Sequence, residues 1–416
     1  YSAILMADIR KPASSFGGIP WRVACMRLRP SVLILREHFL LPEGMEETWV
    51  SNLAPDDMCH SGYSPVFTNG MLTIYRTSGN DLLHSLYNRQ FMTLLVTAEC
   101  VDDLLNDVHQ AILTGGLWNT PTKGANIEIL GAYLILTDPR RRISRTESRG
   151  KIVSCLGELL WYLSAQNDLD FIRHFIPRYV KYAESDGRIH GGYGPRLFSM
   201  HGLYNQLENV ISLLQEKRTT RRALIQLFDA SDLVTGNPEQ TEYADIPCTI
   251  SLQFIVRQDA LHLFVCMRSN DAFMGLPHDV FSFTMLQELV ARLTGCKLGY
   301  YHHFVSSLHI YEEHFEQVKA LQQEGFMSTL PVMGDMPEIQ SLKDITVILE
   351  AEKALRENKE FNIDTTPLSD YWKDLLRVIK VHFLLRSHTS AHNELARQEL
   401  TALNNQEYRF IFDGKI

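Results

Sequence analysis

One segment, from Asp245 to His314, constrains the fold more than any other part of this chain. Cys248 follows Ile246–Pro247 and directly precedes Thr249 to Val256, an apolar run with the length and composition of a buried strand. Proline lacks a backbone donor and is tolerated at the first position of a strand, so Pro247 marks the strand's start. The sequence therefore predicts a cysteine at the mouth of a buried strand. A nearby cation such as Arg268 would lower the thiol pKa and activate it for attack.

Strand-like and helix-like segments alternate along the rest of the chain. Apolar residues at helical spacing predict a helix over residues 91–115, which Gly115–Gly116 end. Further predicted elements are a strand over Ile127–Leu136, a helix that starts at GELLWYLSA with Glu158 near its beginning, a glycine-rich loop over residues 184–197, and helices over residues 281–293 and after Ser369. This alternation predicts a mixed α/β protein.

Composition excludes several classes of function. A net charge of −9 argues against a general nucleic-acid binder, which needs a basic surface. Seven irregularly spaced cysteines favour reduced thiols in the cytoplasm over a disulfide framework. The sequence shows no metal-binding motif, no apolar run long enough for a membrane span and no secretion signal at its start. We therefore expect a cytoplasmic protein that binds no metal, membrane or nucleic acid.

Six sequence blocks, in order, resemble the thymidylate synthase family, which also includes the deoxycytidylate and cytidylate hydroxymethylases. The blocks are Glu158 in GELLWYL, Tyr193-Gly194, the pair Arg221-Arg222, Pro247-Cys248-Thr249 with Gln253-Phe254, Arg268-Ser269-Asn270-Asp271 with Gly275-Leu276-Pro277, and His309-Ile310-Tyr311. The resemblance covers roughly residues 91–320 and implies a thymidylate synthase-like fold, a mixed sheet flanked by helices. Residues 1–90 are then an N-terminal extension of unknown role, and residues 321–416 a helical C-terminal extension.

The resemblance also implies roles for individual residues. Cys248 would add to a pyrimidine ring and form a covalent adduct, whereas the alternative is a buried, inert cysteine. Arg268 and Ser269 would bind the phosphate of a nucleoside monophosphate, together with Arg221 and Arg222 from a second subunit. A site shared in this way requires a homodimer. If the resemblance does not extend to the arginine pair, it is ordinary surface charge.

The other implied roles concern the sugar, the proton transfers and the cofactor. His309 and Tyr311 alternate along a strand, lie on one side of it and would bind the sugar, unless both are simply surface residues. Glu158 sits among apolar residues, which raise a carboxyl pKa, and would move protons through water while 5,10-methylenetetrahydrofolate, the family's cofactor, is activated. Tyr193 would assist proton removal from the ring carbon, and Asp271 and Gly275 complete the pocket.

Asp279 distinguishes between the possible bases. Synthases that act on deoxyuridylate have asparagine at this position, and its amide matches the carbonyl and ring N–H of uracil. An ionised aspartate only accepts hydrogen bonds, so it suits the amino group of cytosine and a protonated ring nitrogen. The hydroxymethylases of the family also have aspartate here, which indicates a cytosine base. The alternative is that Asp279 caps the following helix.

Other departures from the family pattern favour hydroxymethyl transfer. Thr249 replaces a histidine, Met267 replaces a glutamine, and Tyr179 and Tyr182 stand where synthases have tryptophans, so the pocket is expected to be wetter. The family's short closing tail is absent. Lys123, Arg140 and Arg142 are candidates for the phosphate ligand that the family supplies from an early arginine loop.

We therefore expect a folate-dependent hydroxymethyltransferase acting on deoxycytidylate or cytidylate. The alternatives are a divergent thymidylate synthase or pyrimidine methylase acting on deoxyuridylate, and a relative that binds nucleotides without turnover. The sequence does not decide between ribose and deoxyribose.

Overall fold

A computed structural model of the chain describes residues 93–121, 123–144, 152–233, 243–325, 333–387 and 389–415, and the backbone of three short strands nearer the N-terminus. These strands are β1 (Trp49–Val50), β2 (Tyr63–Thr68) and β3 (Thr73–Thr77). They form a small sheet in the order β1–β3–β2. The remainder of the predicted extension over residues 1–90, including the apolar run SVLILREHFLL, lies outside the described residues.

A seven-stranded mixed sheet forms the centre of the protein. Its strands are β4 (Leu94–Ala98), β5 (Leu117–Asn119), β6 (Asn126–Leu136), β7 (Leu224–Gln226), β8 (Thr249–Arg257), β9 (Ala260–Asp271) and β10 (Lys297–Tyr311). They are ordered β4–β6–β10–β9–β8–β7, with β5 paired to β6. The pairs β4–β6 and β9–β10 are parallel, and the other pairs are antiparallel.

Helices flank this sheet. Those within the described ranges are α1 (Val101–Gly115), α2 (Ile152–Leu163), α3 (Leu169–Ile172), α4 (Tyr193–Phe198), α5 (Gln206–Glu216), α6 (Leu276–Thr294), α7 (Phe315–Gln323), α8 (Asp344–Arg356), α9 (Asp370–Leu385) and α10 (Ser390–Thr401). Nearly every residue of α2 and α6 is buried, so these two helices form the centre of the core. The mixed sheet with flanking helices confirms the predicted fold class.

Three local predictions differ from the structure. The helix predicted over residues 91–115 is wrong for Leu94–Ala98, which form β4 and pair in parallel with β6. The loop predicted over residues 184–197 ends early, because α4 begins at Tyr193. Glu158 lies in the middle of α2 rather than near its beginning, since that helix starts at Ile152. A short apolar run fits both the helical and the strand period, which explains the first error.

The C-terminal helices pack on the core. The Met336 N–H donates to Glu288 Oε1 over 2.9 Å, and the Tyr371 hydroxyl lies 3.5 Å from Met285 Sδ on the same helix, α6. Glu288 also forms a fully buried ion pair with Arg142. Ser369 precedes α9, as predicted, although its side chain makes no capping hydrogen bond. Among the described residues, no helix has the length and apolar character needed to cross a membrane.

Gly157 is required by close packing inside α2. A Cβ atom at this position would lie 2.1–2.6 Å from three atoms of the Phe175 side chain, which itself packs on Phe383 of α9. We expect Gly157→Ala to lower the free energy of unfolding by about 1–3 kcal/mol in urea denaturation, because the ring must move. Gly115→Ala is the matched control, since a Cβ there meets nothing within 4 Å. Equal stability of both variants would contradict this packing argument.

Candidate active site

Cys248 lies at the entrance to β8, which begins at Thr249. Burial raises the pKa of its thiol, and the nearby Arg268 and Lys123 cations lower it, while the Asp245 and Asp279 carboxylates raise it. Four charged side chains therefore surround one sulfur atom. The thiol is a weak nucleophile until a ligand changes this balance, because only the thiolate attacks.

Arg268 connects the cysteine segment to the neighbouring strand β9. Its Nε donates to the Pro247 carbonyl over 2.9 Å, and its Nη2 donates to the Ile246 carbonyl over 3.0 Å. Its backbone N–H donates to the Cys248 carbonyl over 2.9 Å. The side chain remains exposed, so the guanidinium both fixes the segment before Cys248 and presents charge to solvent. This placement suits a residue that binds an anionic ligand beside the thiol.

Tyr193 is fixed beside the cysteine by Thr249, the residue that replaces the family's histidine. The Tyr193 hydroxyl donates to Thr249 Oγ1 over 2.8 Å and accepts from the Thr249 N–H over 3.2 Å. Burial raises the Tyr193 pKa well above its ordinary value, and the charges of Asp279 and Cys248 raise it further. The phenol therefore stays neutral at neutral pH and can relay a proton beside the Cys248 thiol.

Glu158 is almost completely buried, as its apolar sequence neighbours predicted. Burial raises the pKa of its carboxyl, and hydrogen bonds from Tyr179 and Tyr162 together with the Arg178 charge lower it. The Tyr179 hydroxyl donates to Glu158 Oε1 over 2.7 Å. A carboxyl with opposing influences of this kind is suited to proton transfer near neutral pH.

We expect Tyr179→Phe to raise the Glu158 pKa further, because the lost donor stabilises the ionised form. The shift can be measured by infrared titration of the carboxyl band, with Glu158→Gln as the reference that lacks it. Tyr182→Phe is the matched control: its ring contacts Tyr179 edge-on at 6.0 Å, and Tyr182 is not among the tyrosines that hydrogen-bond to Glu158. An unchanged titration in Tyr179→Phe would exclude this role.

Asp279 lies in the first turn of α6, three residues after the helix begins at Leu276. It does not cap that helix, whose preceding residue is Gly275, so the alternative stated above is wrong. Burial raises the Asp279 pKa well above its ordinary value, Glu158 and Asp271 raise it further, and an amide contact from Asn270 lowers it. Burial therefore makes Asp279 easier to protonate than an exposed aspartate.

His309 and Tyr311 lie on the same side of β10, as predicted, with their ring centroids 4.8 Å apart. His309 is buried, and neither ring nitrogen makes a hydrogen bond of normal geometry, although the Ser307 backbone lies near enough to favour the protonated ring. A buried polar ring without a partner is costly, so a ligand hydroxyl is a natural partner.

Of the three candidates for a further phosphate ligand, Lys123 alone lies near the cysteine. Its Nζ is 4.7 Å from the centroid of the Tyr182 ring, and its charge acts on Cys248 and His309. Arg140 instead pairs with Asp335 over 2.6 Å, and Arg142 forms the buried pair with Glu288. The two arginines are thus engaged in packing the C-terminal extension.

The remaining predicted residues differ in their placement. Ser269 is half-buried beside Arg268, whereas Arg221 and Arg222 are exposed before β7, at the edge of the sheet. Asp271 Oδ1 accepts from the N–H groups of Phe273 and Met274 over 2.8 and 3.0 Å, which shapes the turn into α6.

Gly275 allows a close approach in this turn, because a Cβ there would lie 2.7 Å from Asn270 Oδ1. Only glycine therefore leaves room for the Asn270 amide beneath Asp279.

Asp245 is a site residue that sequence reasoning missed. Burial raises its pKa, and its charge in turn raises the pKa values of Glu158, Tyr179 and Cys248. Its Oδ2 lies 2.2 Å from where a Cβ on Gly191 would be, so glycine is needed at residue 191. The signal in the sequence was a carboxylate three residues before the cysteine, which alone does not identify a site.

Fold and site together define an enzyme class: a cysteine thiol lies at a strand end, near arginine, tyrosine and buried carboxyl groups, as in pyrimidine C5 one-carbon transferases. The comparisons place the chain within that class. Residues 107–354, more than half of the chain, match the family model described as thymidylate synthase. The chain belongs to the thymidylate synthase family.

Three curated relatives illustrate the similarity. The chain is 31% identical over 192 residues to a deoxyuridylate hydroxymethyltransferase of Delftia phage PhiW-14, a match that covers 44% of this chain and 52% of that protein. It is 30% identical over 211 residues to a thymidylate synthase of Symbiobacterium thermophilum, a match that covers 47% of this chain and 71% of that protein. It is 27% identical over 194 residues to a thymidylate synthase of Bacillus mojavensis, a match that covers 45% of this chain and 66% of that protein. The match thus spans only about half of the phage relative.

Enzymes of this family use methylenetetrahydrofolate, and the residues present fit such a molecule. A folate has a flat, heteroaromatic pterin ring with N–H donors. Tyr179 and Tyr182 are half-buried, contact each other edge-on at 6.0 Å and provide an aromatic wall, and the buried Trp161 packs against Tyr179 at 5.4 Å. Only one carboxylate oxygen of Asp271 has partners among the described residues, so the other is available to accept from a ligand. These residues would hold the folate, which supplies the one-carbon unit when bound.

Proposed function

We propose that this protein is a pyrimidine nucleotide C5 hydroxymethyltransferase that acts on deoxycytidylate or cytidylate with methylenetetrahydrofolate and water. The observation that carries the proposal is the convergence of Cys248, Arg268 and the Asp279 carboxyl on one site. The family membership supports one-carbon transfer to carbon five of a pyrimidine.

The first chemical step is addition of the Cys248 thiolate to ring carbon six. This addition breaks the conjugation of the ring and makes carbon five nucleophilic, so that it can bond to a one-carbon unit. The proton on carbon five then leaves with the help of Tyr193, and Glu158 exchanges protons with water. Loss of that proton would let tetrahydrofolate leave as its bond to the transferred carbon breaks, and water would then add to that carbon. Elimination of the Cys248 thiolate restores the ring and frees the hydroxymethyl product.

Nucleotide binding would use the residues placed around the thiol. Arg268 and Ser269 bind the phosphate, with Lys123 as a second cation from the same protomer. His309 and Tyr311 bind the sugar hydroxyl, which satisfies the buried imidazole. The same groups fit ribose and deoxyribose.

Asp279 supports a cytosine base. Its raised pKa makes Asp279 easier to protonate, and the protonated form would donate to the ring nitrogen of cytosine while its carbonyl oxygen accepts from the exocyclic amine. After thiolate addition the ring nitrogen becomes more basic, so the proton moves to the ring and the charged pair is strengthened. Recognition then tightens as the reaction proceeds.

Deoxyuridylate is the second candidate substrate, on a specific observation. A protonated Asp279 also offers one donor and one acceptor to uracil, in the manner of an asparagine amide. The phage relative is named for hydroxymethyl transfer to deoxyuridylate, and the other two relatives are named thymidylate synthases.

Hydroxymethyl transfer, rather than methyl transfer, is supported by the polarity of the pocket. Tyr179 and Tyr182 are half-buried and introduce hydroxyl groups, and the Asp245 carboxyl has no hydrogen-bond partner among the described residues. A site lined in this way holds water close to the one-carbon unit. Water addition to that unit gives the hydroxymethyl group.

A second copy of the chain completes the proposed site. Leu95 of β4 and Phe304 of β10 are exposed and lie on one face of the main sheet, because both are opposite Tyr133 of the strand between them, β6. Pairing of two such faces would bring Arg221 and Arg222 of one copy toward the other. Phe304→Glu should convert a dimer to a monomer in sedimentation analysis and lower activity with it. A monomeric wild type with full activity would exclude the shared site.

A labelled-substrate assay tests the proposed function. The protein is incubated with methylenetetrahydrofolate and one of deoxycytidylate, cytidylate or deoxyuridylate, each tritiated at carbon five. Tritium release with a hydroxymethyl product from a cytidine nucleotide supports the proposal. Release from deoxyuridylate alone supports the second candidate or, with a methyl product, a thymidylate synthase. Nucleotide binding without release would show a relative that has lost turnover.

A further inference from the structure

Three buried polar side chains lie in a line beneath Asp279, and the family motifs assign a role to none of them. Asn270 is on β9, whereas His303 and Tyr301 are on β10. All three are at most 4% exposed. The Tyr301 hydroxyl lies 2.6 Å from His303 Nδ1, and Asn270 Nδ2 lies 3.1 Å from His303 Nε2. Burying a chain of polar groups in an otherwise apolar core costs free energy unless every group is hydrogen-bonded. Such a chain therefore calls for a functional explanation.

The line ends at the proposed base-recognition residue. The Asn270 amide contacts the Asp279 carboxyl, and Gly275 leaves room for that amide. The charge of Asp279 also reaches Tyr301 at the far end of the line. Asn270 is therefore held on one side by His303 and touches Asp279 on the other.

His303 can pass a change of hydrogen-bond direction along this line. Burial lowers its pKa to about 3, so the ring is neutral and carries one proton. With that proton on Nδ1, the ring donates to Tyr301 and accepts one hydrogen of the Asn270 NH₂ group, whose other hydrogen donates to an ionised Asp279. With the proton on Nε2, Tyr301 donates to Nδ1 and the Asn270 amide turns over. Its oxygen then accepts both from the ring and from a protonated Asp279.

We propose that Asn270, His303 and Tyr301 are positioning residues that orient the Asp279 carboxyl and match its protonated and ionised forms in turn. The inference rests on the proposed function, since it concerns how Asp279 selects a pyrimidine base. The line presents an acceptor to the carboxylic acid and a donor to the carboxylate. Asp279 can thereby exchange a proton with the base without leaving a buried group unpaired.

Other ionisable groups also face Asp279 and contribute to its pH response. They come from α2, α4, the β8 entrance and β9, and are Glu158, Tyr162, Tyr193, Cys248 and Asp271. The tyrosines are neutral below pH 10, so Glu158, Asp271 and Cys248 are the groups whose charge competes with the line.

Calorimetric binding of deoxycytidylate and deoxyuridylate between pH 5.5 and 8.5 tests the inference without requiring turnover. Tyr301→Phe keeps the ring and removes only the hydroxyl, and His303→Gln is the second variant if the first unfolds. We expect the ratio of the two dissociation constants to change about tenfold in either variant, because one hydrogen bond of the line is lost. The pH at which this ratio changes should also shift. Tyr300→Phe, at an exposed position on the same strand, should behave as wild type.

The outcomes separate the inference from the function on which it rests. If neither nucleotide binds to the wild-type protein, the proposed function fails. If wild type discriminates between the bases and both folded variants discriminate equally well with the same pH profile, the positioning role is overturned. A changed ratio with an unchanged melting temperature supports it.

Discussion

Replacing Cys248 with serine should abolish tritium release from carbon five of the substrate, by at least about 10⁴-fold. Serine has nearly the same shape but ionises far less readily, so the covalent step that activates the ring is lost. Nucleotide binding should survive, because Arg268 takes its contacts from backbone carbonyls rather than from the sulfur. The loss should therefore appear in kcat and not in the dissociation constant of the nucleotide.

Two further measurements sharpen this expectation. A nucleotide with fluorine at carbon five cannot release a proton there, so intact mass spectrometry should detect its covalent adduct on wild type and none on Cys248→Ser. Cys266→Ser is the matched control, since Cys266 is a free, half-buried thiol on β9. Full activity in Cys248→Ser, or an adduct on Cys266, would remove the proposed nucleophile.

The raised pKa of Cys248 also predicts how the free enzyme reacts with alkylating agents. Burial dominates over the nearby cations, so little thiolate is present at neutral pH in the absence of a ligand. Alkylation by iodoacetamide should be slow at pH 7 and accelerate as the pH rises toward the raised thiol pKa. Activation would then depend on the bound nucleotide, which replaces water around the sulfur and rearranges the local charges.

Residues in contiguous motifs were predictable because the motif fixes their spacing along a strand or turn. The strand after Pro247 placed Cys248 at its mouth, and the period of β10 put His309 and Tyr311 on one side. The apolar frame of Glu158 indicated its burial and the direction of its pKa shift. Each of these inferences needed only local geometry and the chemistry of one side chain.

Interactions between distant segments were not predictable in the same way. Asn270 fell at a variable position of its motif, and its partner His303 lies 33 residues further along the chain. Lys123 could not be preferred over Arg140 and Arg142, because all three are cations whose partners belong to other segments. Tertiary packing decides which of these residues come into contact. Partners from distant segments have no fixed spacing along the sequence, so a single sequence does not reveal them.

The raised pKa of Asp279 changes how the base is recognised. From the sequence we expected an ionised carboxylate at Asp279. Such a carboxylate would exclude uracil, because its oxygen and the uracil carbonyl are both hydrogen-bond acceptors and would face each other. A protonated Asp279 removes that conflict, so discrimination must arise later, when thiolate addition makes the cytosine ring nitrogen basic. Cytosine can then take the proton and form a charged pair, whereas uracil cannot. The proposed preference for cytosine would thus be a property of the reacting complex more than of the first binding event.

Asp279→Asn tests this proton transfer to the base. The substitution should lower kcat/KM for deoxycytidylate and raise it for deoxyuridylate. The amide keeps one donor and one acceptor but cannot give up its proton to the ring, so kcat/KM for deoxycytidylate should fall about 100-fold or more. For deoxyuridylate kcat/KM should rise, since the amide matches uracil without an internal proton. The ratio of the two values, measured by tritium release on one preparation, serves as its own control for partial unfolding. A ratio equal to that of wild type would mean that Asp279 does not select the base, and the assignment of cytosine would lose its physical support.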